Sequence, residues 1–266
     1  VSAIAGRAAG LLGAALAQVR TLPGGDLSDC LLIRLADGRE AVAKSGPAPR
    51  IEAAMLAAIR VSGAPAPSVL AVDDTVLVLE RLSDAGAPAP AELGHAVARL
   101  HAATGARYGW PADYAFGPVP IANGGSDDWP AFWAERRLLC HAGHVPAALM
   151  RRLETLAADL GNRLPARPRP ALLHGDLWGG NVLSDGTRVT GLIDPACYHG
   201  HAEVDCAMLA LFGRPGPGFR EAYGPPEPGA AERTALYQLW PALVHLRLFG
   251  AGYRGMVEGL LAAAGV

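Results

Sequence analysis

Apolar positions at the start of the chain recur at helical spacing. Ile4, Ala8, Leu11, Leu12, Ala15, Leu16 and Val19 fall on one stripe, which predicts a packed amphipathic helix reaching Val19. The period then shortens. Cys30–Leu35 and Glu40–Ser45 read as extended runs around the turn residues Asp37-Gly38. In "RIEAAMLAAIRVSG", Ile51, Met55 and Ile59 mark one helical face and Gly63 a stop. "APAPSVLAVDDTVLVLERL" returns to two extended runs, hinged at Asp73-Asp74. The expected unit is a small, mostly antiparallel sheet with one helix inserted after the third strand.

"SDAGAPAP", residues 83–90, changes composition sharply and reads as a linker. It divides an N-terminal lobe, 1–82, from a mainly helical lobe, 83–266. The helical stretches of the second lobe are "AELGHAVARLHAAT", "WPAFWAERRLLCHAG" and "PAALMRRLETLAADLGNRL", with more helix from about Glu203 onward. Among them, "NVL" and "VTGLI" are strand-like and "SDGTR" between them is turn material, which predicts a hairpin. No repeat of fixed period is present. The fold class is therefore α+β.

Composition narrows the function. With 266 residues, 51% hydrophobic and 18% charged, and a net charge of −2, the chain suits a globular protein with a sizeable core. Scattered arginines and the lack of a basic, aromatic-interleaved run argue against nucleic acid. Arg7 interrupts the apolar N-terminal run, and no other segment suits a bilayer, so no membrane partner is expected. Cys30, Cys140, Cys197 and Cys206 are widely spaced with no C-x-x-C pair, which fits a reducing cytoplasm.

The chemistry concentrates in "LLHGDLWGGNVLSDGTRVTGLIDP", residues 172–195. Asp176 precedes Asn181 by five residues, and Asp194 follows Asn181 by thirteen. A hairpin folded at "SDGTR" returns Asp194 close to Asn181, which puts two oxygen donors at its open end. Such donors suit Mg²⁺, which favours one or two carboxylates together with substrate phosphates. One Asp to orient a hydroxyl, with an Asn and a second Asp on metal, is the division of labour in kinase-type phosphoryl transfer. Taken singly, each of these residues is an ordinary turn former, and Asp185-Gly186 is read that way.

A site of that kind also needs a lysine on the third strand and a helical glutamate to position it. Lys44 ends the run "EAVAK" and is the sole lysine of the chain; Glu52 lies eight residues on, in the first turn of the next helix. The P-loop, H-E-x-x-H and G-x-S-x-G patterns are absent from the sequence, and no G-x-G-x-x-G joins a strand to a helix.

With these residues in place, the chain resembles the fructosamine/ketosamine kinase family, within the aminoglycoside-phosphotransferase-like small-molecule kinases. The strings that carry the resemblance are "HGDLWGGN", "GLIDPACYHGHAEVDCAMLALFG", "LYQLWPALVHLRLFGAGY" and "WPAFWAERRL". The resemblance implies a two-lobed protein-kinase-like fold with ATP between the lobes. It implies Asp176 as catalytic base, Asn181 and Asp194 as Mg²⁺ ligands, and Lys44 on the phosphates, paired with Glu52. Backbone from Glu80 to Leu82 would meet adenine, and Gly24 and Gly25 would stand in the phosphate-covering loop, where Asp26 is a departure.

Trp178 would line the sugar pocket, while Asp205 and His174 would brace the catalytic loop. His199 and His201 read as packing or hydrogen-bonding residues, and Cys30 occupies a region where some relatives carry a redox-active cysteine. The implied acceptor is a ketosamine, either a small molecule or a glycated amine such as a protein lysine. Two other readings remain open here: a phosphotransferase for aminoglycosides or other small molecules, and a catalytically silent nucleotide-binding module.

Overall fold

The computed structural model describes residues 2–22, 29–213 and 215–266. The first lobe comprises α1 (Ser2–Leu11), β1 (Leu16–Thr21), β2 (Cys30–Leu35), β3 (Glu40–Lys44), α2 (Pro49–Val61), β4 (Val69–Val72) and β5 (Leu77–Glu80). Its strands form one antiparallel sheet in the order β1-β2-β3-β5-β4, with α2 inserted after β3 as the apolar pattern requires.

The expected helix through Val19 is corrected: the helix ends at Leu11, and Leu16–Thr21 is a strand whose Val19 pairs with Ile33. The stop is Gly13, at φ +70. Its N–H reaches the Gly10 carbonyl and the Ala14 N–H the Ala9 carbonyl, a paired closure that satisfies the last free carbonyls of the helix. The alanine-rich spacing hides this glycine, because small residues fit either period.

Alternation along the strands then separates two cores. Leu31, Ile33, Leu35, Ala41, Ala43 and Val78 face α1, whose Ala5, Ala8 and Ala9 permit close approach. The opposite face meets Met55, Leu56 and Ile59 of α2. That cluster continues through Leu93, Val97 and Leu100 to Leu172, Leu177, Val182 and Leu192, so apolar packing is continuous beneath the cleft.

The second lobe runs α3 (Pro90–Ala102), β6 (Tyr114–Phe116), β7 (Val119–Ile121), α4 (Trp129–Trp133), α5 (Ala147–Arg163), β8 (Ala171–Leu173), β9 (Val182–Ser184), β10 (Val189–Leu192), β11 (Tyr198–Gly200), α6 (Glu203–Phe212), α7 (Gly218–Tyr223), α8 (Ala230–Phe249) and α9 (Arg254–Ala263). β9 and β10 form the expected hairpin. The pairs β6–β7 and β8–β11 go beyond the sequence reading, since three-residue strands carry no readable period.

After α4 the chain widens into a π turn over Ala134–Leu138, which carries the fully buried Arg137. With no carboxylate bound to it among the described residues, that guanidinium lies against the rings of Tyr198, Phe132 and Trp240 and donates to the Ala122 carbonyl and Asn123 Oδ1. Among the described residues, no helix is long and apolar enough to cross a membrane.

Candidate active site

The site starts from one buried cation. Lys44 ends β3 on the cleft face of the sheet, and its Nζ lies 2.6 Å from Glu52 Oε1 and 2.7 Å from Asp194 Oδ1. Lys44 is 6% exposed and Glu52 2%. Burial works against the ammonium, but the two carboxylates outweigh it and the net direction of the lysine pKa is upward, so it stays charged. Glu52 reaches this position from the first turn of α2, and its Oε2 accepts from the Tyr114 hydroxyl at 3.2 Å. Tyr114 carries no motif signal, because its place depends on the short β6–β7 hairpin.

Asp194 approaches from the other lobe, beyond the end of β10. It is the sole described non-glycine residue with positive φ, at 56, a left-handed conformation that costs free energy and clusters at functional sites. The Ile193 N–H donates to the Asn181 carbonyl at 3.0 Å, so the hairpin does return Asp194 to the neighbourhood of Asn181.

Asn181 in turn fixes Asp176. Its Nδ2 donates to the Asp176 carbonyl at 2.8 Å and to Asp176 Oδ2 at 3.0 Å. Both amide hydrogens are thereby committed, and Asn181 Oδ1 accepts no hydrogen bond among the described residues. Burial pushes the Asp176 carboxyl up to about 7; the Asn181 hydrogen bond opposes this, while Asp194 and Asp205 add to it.

A polar brace lies under the loop. Asp205, fully buried on α6, accepts the backbone N–H groups of His174 at 2.7 Å and Gly175 at 3.0 Å, and lies 3.0 Å from His101 Nε2. Burial alone would raise the Asp205 carboxyl; the hydrogen bonds and charge of its neighbours outweigh that and lower it. The other ring nitrogen of His101 is 2.8 Å from the Tyr223 hydroxyl. His101 and Tyr223 are further contributors that no sequence motif marks. His174 Nε2 donates to the Ile193 carbonyl at 3.0 Å, tying the loop to the hairpin. Gly175 turns the chain at φ +80, where a Cβ would stand 2.1 Å from the Ala196 carbonyl oxygen.

The remaining sequence candidates fall as follows. The Glu80 carboxylate is taken by Ser68 N–H and hydroxyl, and the Glu80 N–H by the Ser68 carbonyl. The backbone of Leu82 makes no hydrogen bond among the described residues, and its side chain packs over Gly191. Gly24, Gly25 and Asp26 lie outside the described residues. The Trp178 indole lies across Gly180, where a Cβ would meet its ring at 2.3 Å. His199 stacks on Trp110, and His201 Nδ1 is 2.7 Å from the Tyr237 hydroxyl. Burial raises the Cys30 thiol to about 11, away from the thiolate.

Hard oxygen donors lie together in the cleft: Asn181 Oδ1, and the Asp194 carboxylate, whose Oδ2 makes no hydrogen bond among the described residues. That set fits Mg²⁺ better than a softer metal. A second His/Glu group, His201 with Glu203 and Glu227, borders a cavity of about 310 Å³ between α3, α6 and α7. There Glu203 is committed to Arg233 through two bonds of 2.6 and 2.7 Å, so the group forms an ion-pair network.

A sheet lysine paired to a helix glutamate, set above an Asp–Asn–Asp group on a loop and hairpin, defines the two-lobed protein-kinase-like class. The chain belongs to the fructosamine kinase family, whose profile matches residues 14–264. A protein assigned as a ketoamine kinase in Synechocystis sp. is 40% identical over 184 residues, which span 64% of this chain and 60% of that protein. The crystal structure of a protein assigned as a fructosamine-3-kinase from Thermobifida fusca YX-ER1 superposes with a TM-score of 0.89 at 34% identity, covering 99% of each chain. An aminoglycoside phosphotransferase shares the fold alone, with a TM-score of 0.66 at 19% identity over 94% of each chain.

Proposed function

We propose that the chain is an ATP- and Mg²⁺-dependent kinase that phosphorylates a sugar hydroxyl of a ketosamine of the fructosamine type. The observation that carries this reading is the Lys44 ammonium held between Glu52 of one lobe and Asp194 of the other. Family membership and the ketoamine and fructosamine kinase relatives support the choice of acceptor.

In this reading Asp176 orients the acceptor hydroxyl and takes up its proton. Asn181 holds Asp176 Oδ2, which directs Oδ1 toward the acceptor. Asn181 Oδ1 and the Asp194 carboxylate would hold the divalent cation, which when bound neutralises charge on the transferred phosphoryl group. Lys44 adds a fixed positive charge for the nucleotide phosphates, the Leu82 backbone offers a donor and an acceptor to the base, and Trp178 covers the sugar. Positioning and electrostatics suffice, and no covalent intermediate with the protein is required. The acceptor is a free ketosamine or the same group on an amino acid or protein lysine, and phosphorylation labilises the adduct.

The test is ATP consumption and product mass on a panel of ketosamines, aminoglycosides and free sugars. Transfer to ketosamines, reduced at least about a hundredfold by Asp176→Asn and by Asp194→Ala with the fold intact, is the expected result. Full activity in either variant, or transfer to aminoglycosides alone, overturns the reading.

A further inference from the structure

Trp178 continues into a line of aromatic rings beyond the groups assigned above. Its indole meets the Phe212 ring edge-on at 6.4 Å, and Phe212 packs against the His245 imidazole at 4.8 Å. His245 lies 5.4 Å from the Phe249 ring and 5.0 Å from Tyr253, and those two rings are 5.8 Å apart. The line runs from the catalytic loop across the ends of α6 and α8 to the 3₁₀ turn Ala251–Tyr253. These rings are not core. Trp178, Phe212 and Phe249 are 41%, 37% and 45% exposed, and His245 and Tyr253 are half-buried. Large aromatic side chains left open side by side, and continuous with a reaction site, mark a contact surface for what enters that site.

His245 gives the strip its chemical selectivity. Its Nδ1 lies 2.8 Å from the Pro241 carbonyl. A carbonyl oxygen accepts only, so the proton sits on Nδ1. Burial lowers the imidazole pKa, which leaves the ring neutral at pH 7. Nε2 then carries a bare lone pair, and it has no hydrogen-bond partner among the described residues. A lone-pair acceptor set among aromatic faces disfavours anions. It gives an ether or hydrocarbon only burial, but gives a protonated amine both a hydrogen-bond acceptor and ring faces. The nearby Arg254 is paired with Glu258 at 2.8 Å and so does not oppose a cation there.

We propose that His245, Phe212, Phe249 and Tyr253 form an amine subsite, in which the protonated secondary amine of the ketosamine donates to His245 Nε2 while its sugar lies against Trp178. The identity of the acceptor rests on the kinase reading above; the preference for a cationic amine rests on the rings and the imidazole. Phe249, the most exposed of the four, stands at the outer end, so the substituent on the amine leaves the site there.

The experiment compares an N-alkyl fructosamine with its neutral 1-O-alkyl ether analogue on the intact protein. Binding by calorimetry and ATP-dependent turnover are both measured, for the wild type, His245→Leu and Phe249→Leu. The wild type should prefer the amine by about tenfold or more in Kd, as expected for a charged hydrogen bond with cation–π contact. Both variants should reduce that preference to about threefold or less through weaker amine binding. Phe249 is surface-exposed, so its variant remains informative should His245→Leu fail to fold. Equal wild-type affinity for the two compounds, no binding of either, or a preference retained in a folded variant overturns the proposal. An amine preference that the variants lose, without phosphoryl transfer to any ketosamine, sustains the subsite and removes the kinase reading. Normal transfer with no amine preference does the reverse.

Discussion

Asp205 and His174 stand 31 positions apart in sequence, and Asp205 Oδ2 accepts the His174 backbone N–H at 2.7 Å. The same carboxylate takes the Gly175 N–H, so one buried side chain on α6 sets the backbone of the loop just before Asp176. Removing it by Asp205→Ala leaves two buried donors unsatisfied and His101 without its partner. A loss of about 3–5 kcal/mol is expected. Urea unfolding reads the loss, and faster amide exchange at residues 174–176 locates it.

Gly175→Ala tests the turn itself. The residue sits at φ +80, and the new Cβ would stand 2.1 Å from the Ala196 carbonyl oxygen. Both backbone strain and a clash with main chain apply, so a cost of about 2 kcal/mol or more is expected. Turnover in the proposed reaction should fall with it. A melting temperature and specific activity equal to wild type would remove the steric argument.

Lys44→Met leaves Glu52 and Asp194 facing each other without their cation. Nucleotide affinity and turnover should both drop, turnover by roughly a hundredfold or more. Lys44→Arg is expected to rescue little, because a forked guanidinium does not fit a slot built around a compact ammonium. Binding of a fluorescent ATP analogue with steady-state rates for both variants checks the two statements.

His141 predicts the acid limb of stability. Its ring is buried beside Trp240, and burial, aided by Arg247, pushes its pKa down to about 3. The unfolded value is about 6.5. Between those pH values the unfolded chain holds the extra proton, so this contribution is complete above about 6.5 and declines as pH falls toward 3. The slope is about 1.4 kcal/mol per pH unit at most. His141→Phe should flatten the stability profile between pH 6.5 and 4.5 in urea melts; an unchanged slope would show that the group does not titrate as described.

Local pattern made much of the architecture legible. β2 and β3, the helix α2, the β4–β5 pair and the β9–β10 hairpin follow from period and turn residues, since those elements close within a few residues of chain. β1 was hidden because alanine-rich spacing fits a helix, and the signal against it was the single Gly13. β8 and β11 pair across an intervening loop and hairpin, which leaves no local trace in either segment.

In the candidate site, the spacing of Asp176, Asn181 and Asp194 was readable because one hairpin brings them together. The Lys44–Asp194 contact joins residues 150 positions apart and depends on how the lobes meet. Tyr114, His101, Tyr223 and the Phe212–His245 contact belong to that same class of long-range packing, which a single sequence does not encode in any short motif.

The buried lysine has a consequence for the chemical durability of the chain. Amines add to the carbonyl of reducing sugars only in their unprotonated, accessible form, and Lys44 is the sole side-chain amine, 6% exposed and held as an ammonium by two carboxylates. All other side-chain cations are guanidinium or imidazole groups. A protein proposed to act on glycated amines thus offers almost no lysine surface on which such adducts could form, and its one lysine nitrogen is shielded by the contacts that build its cleft.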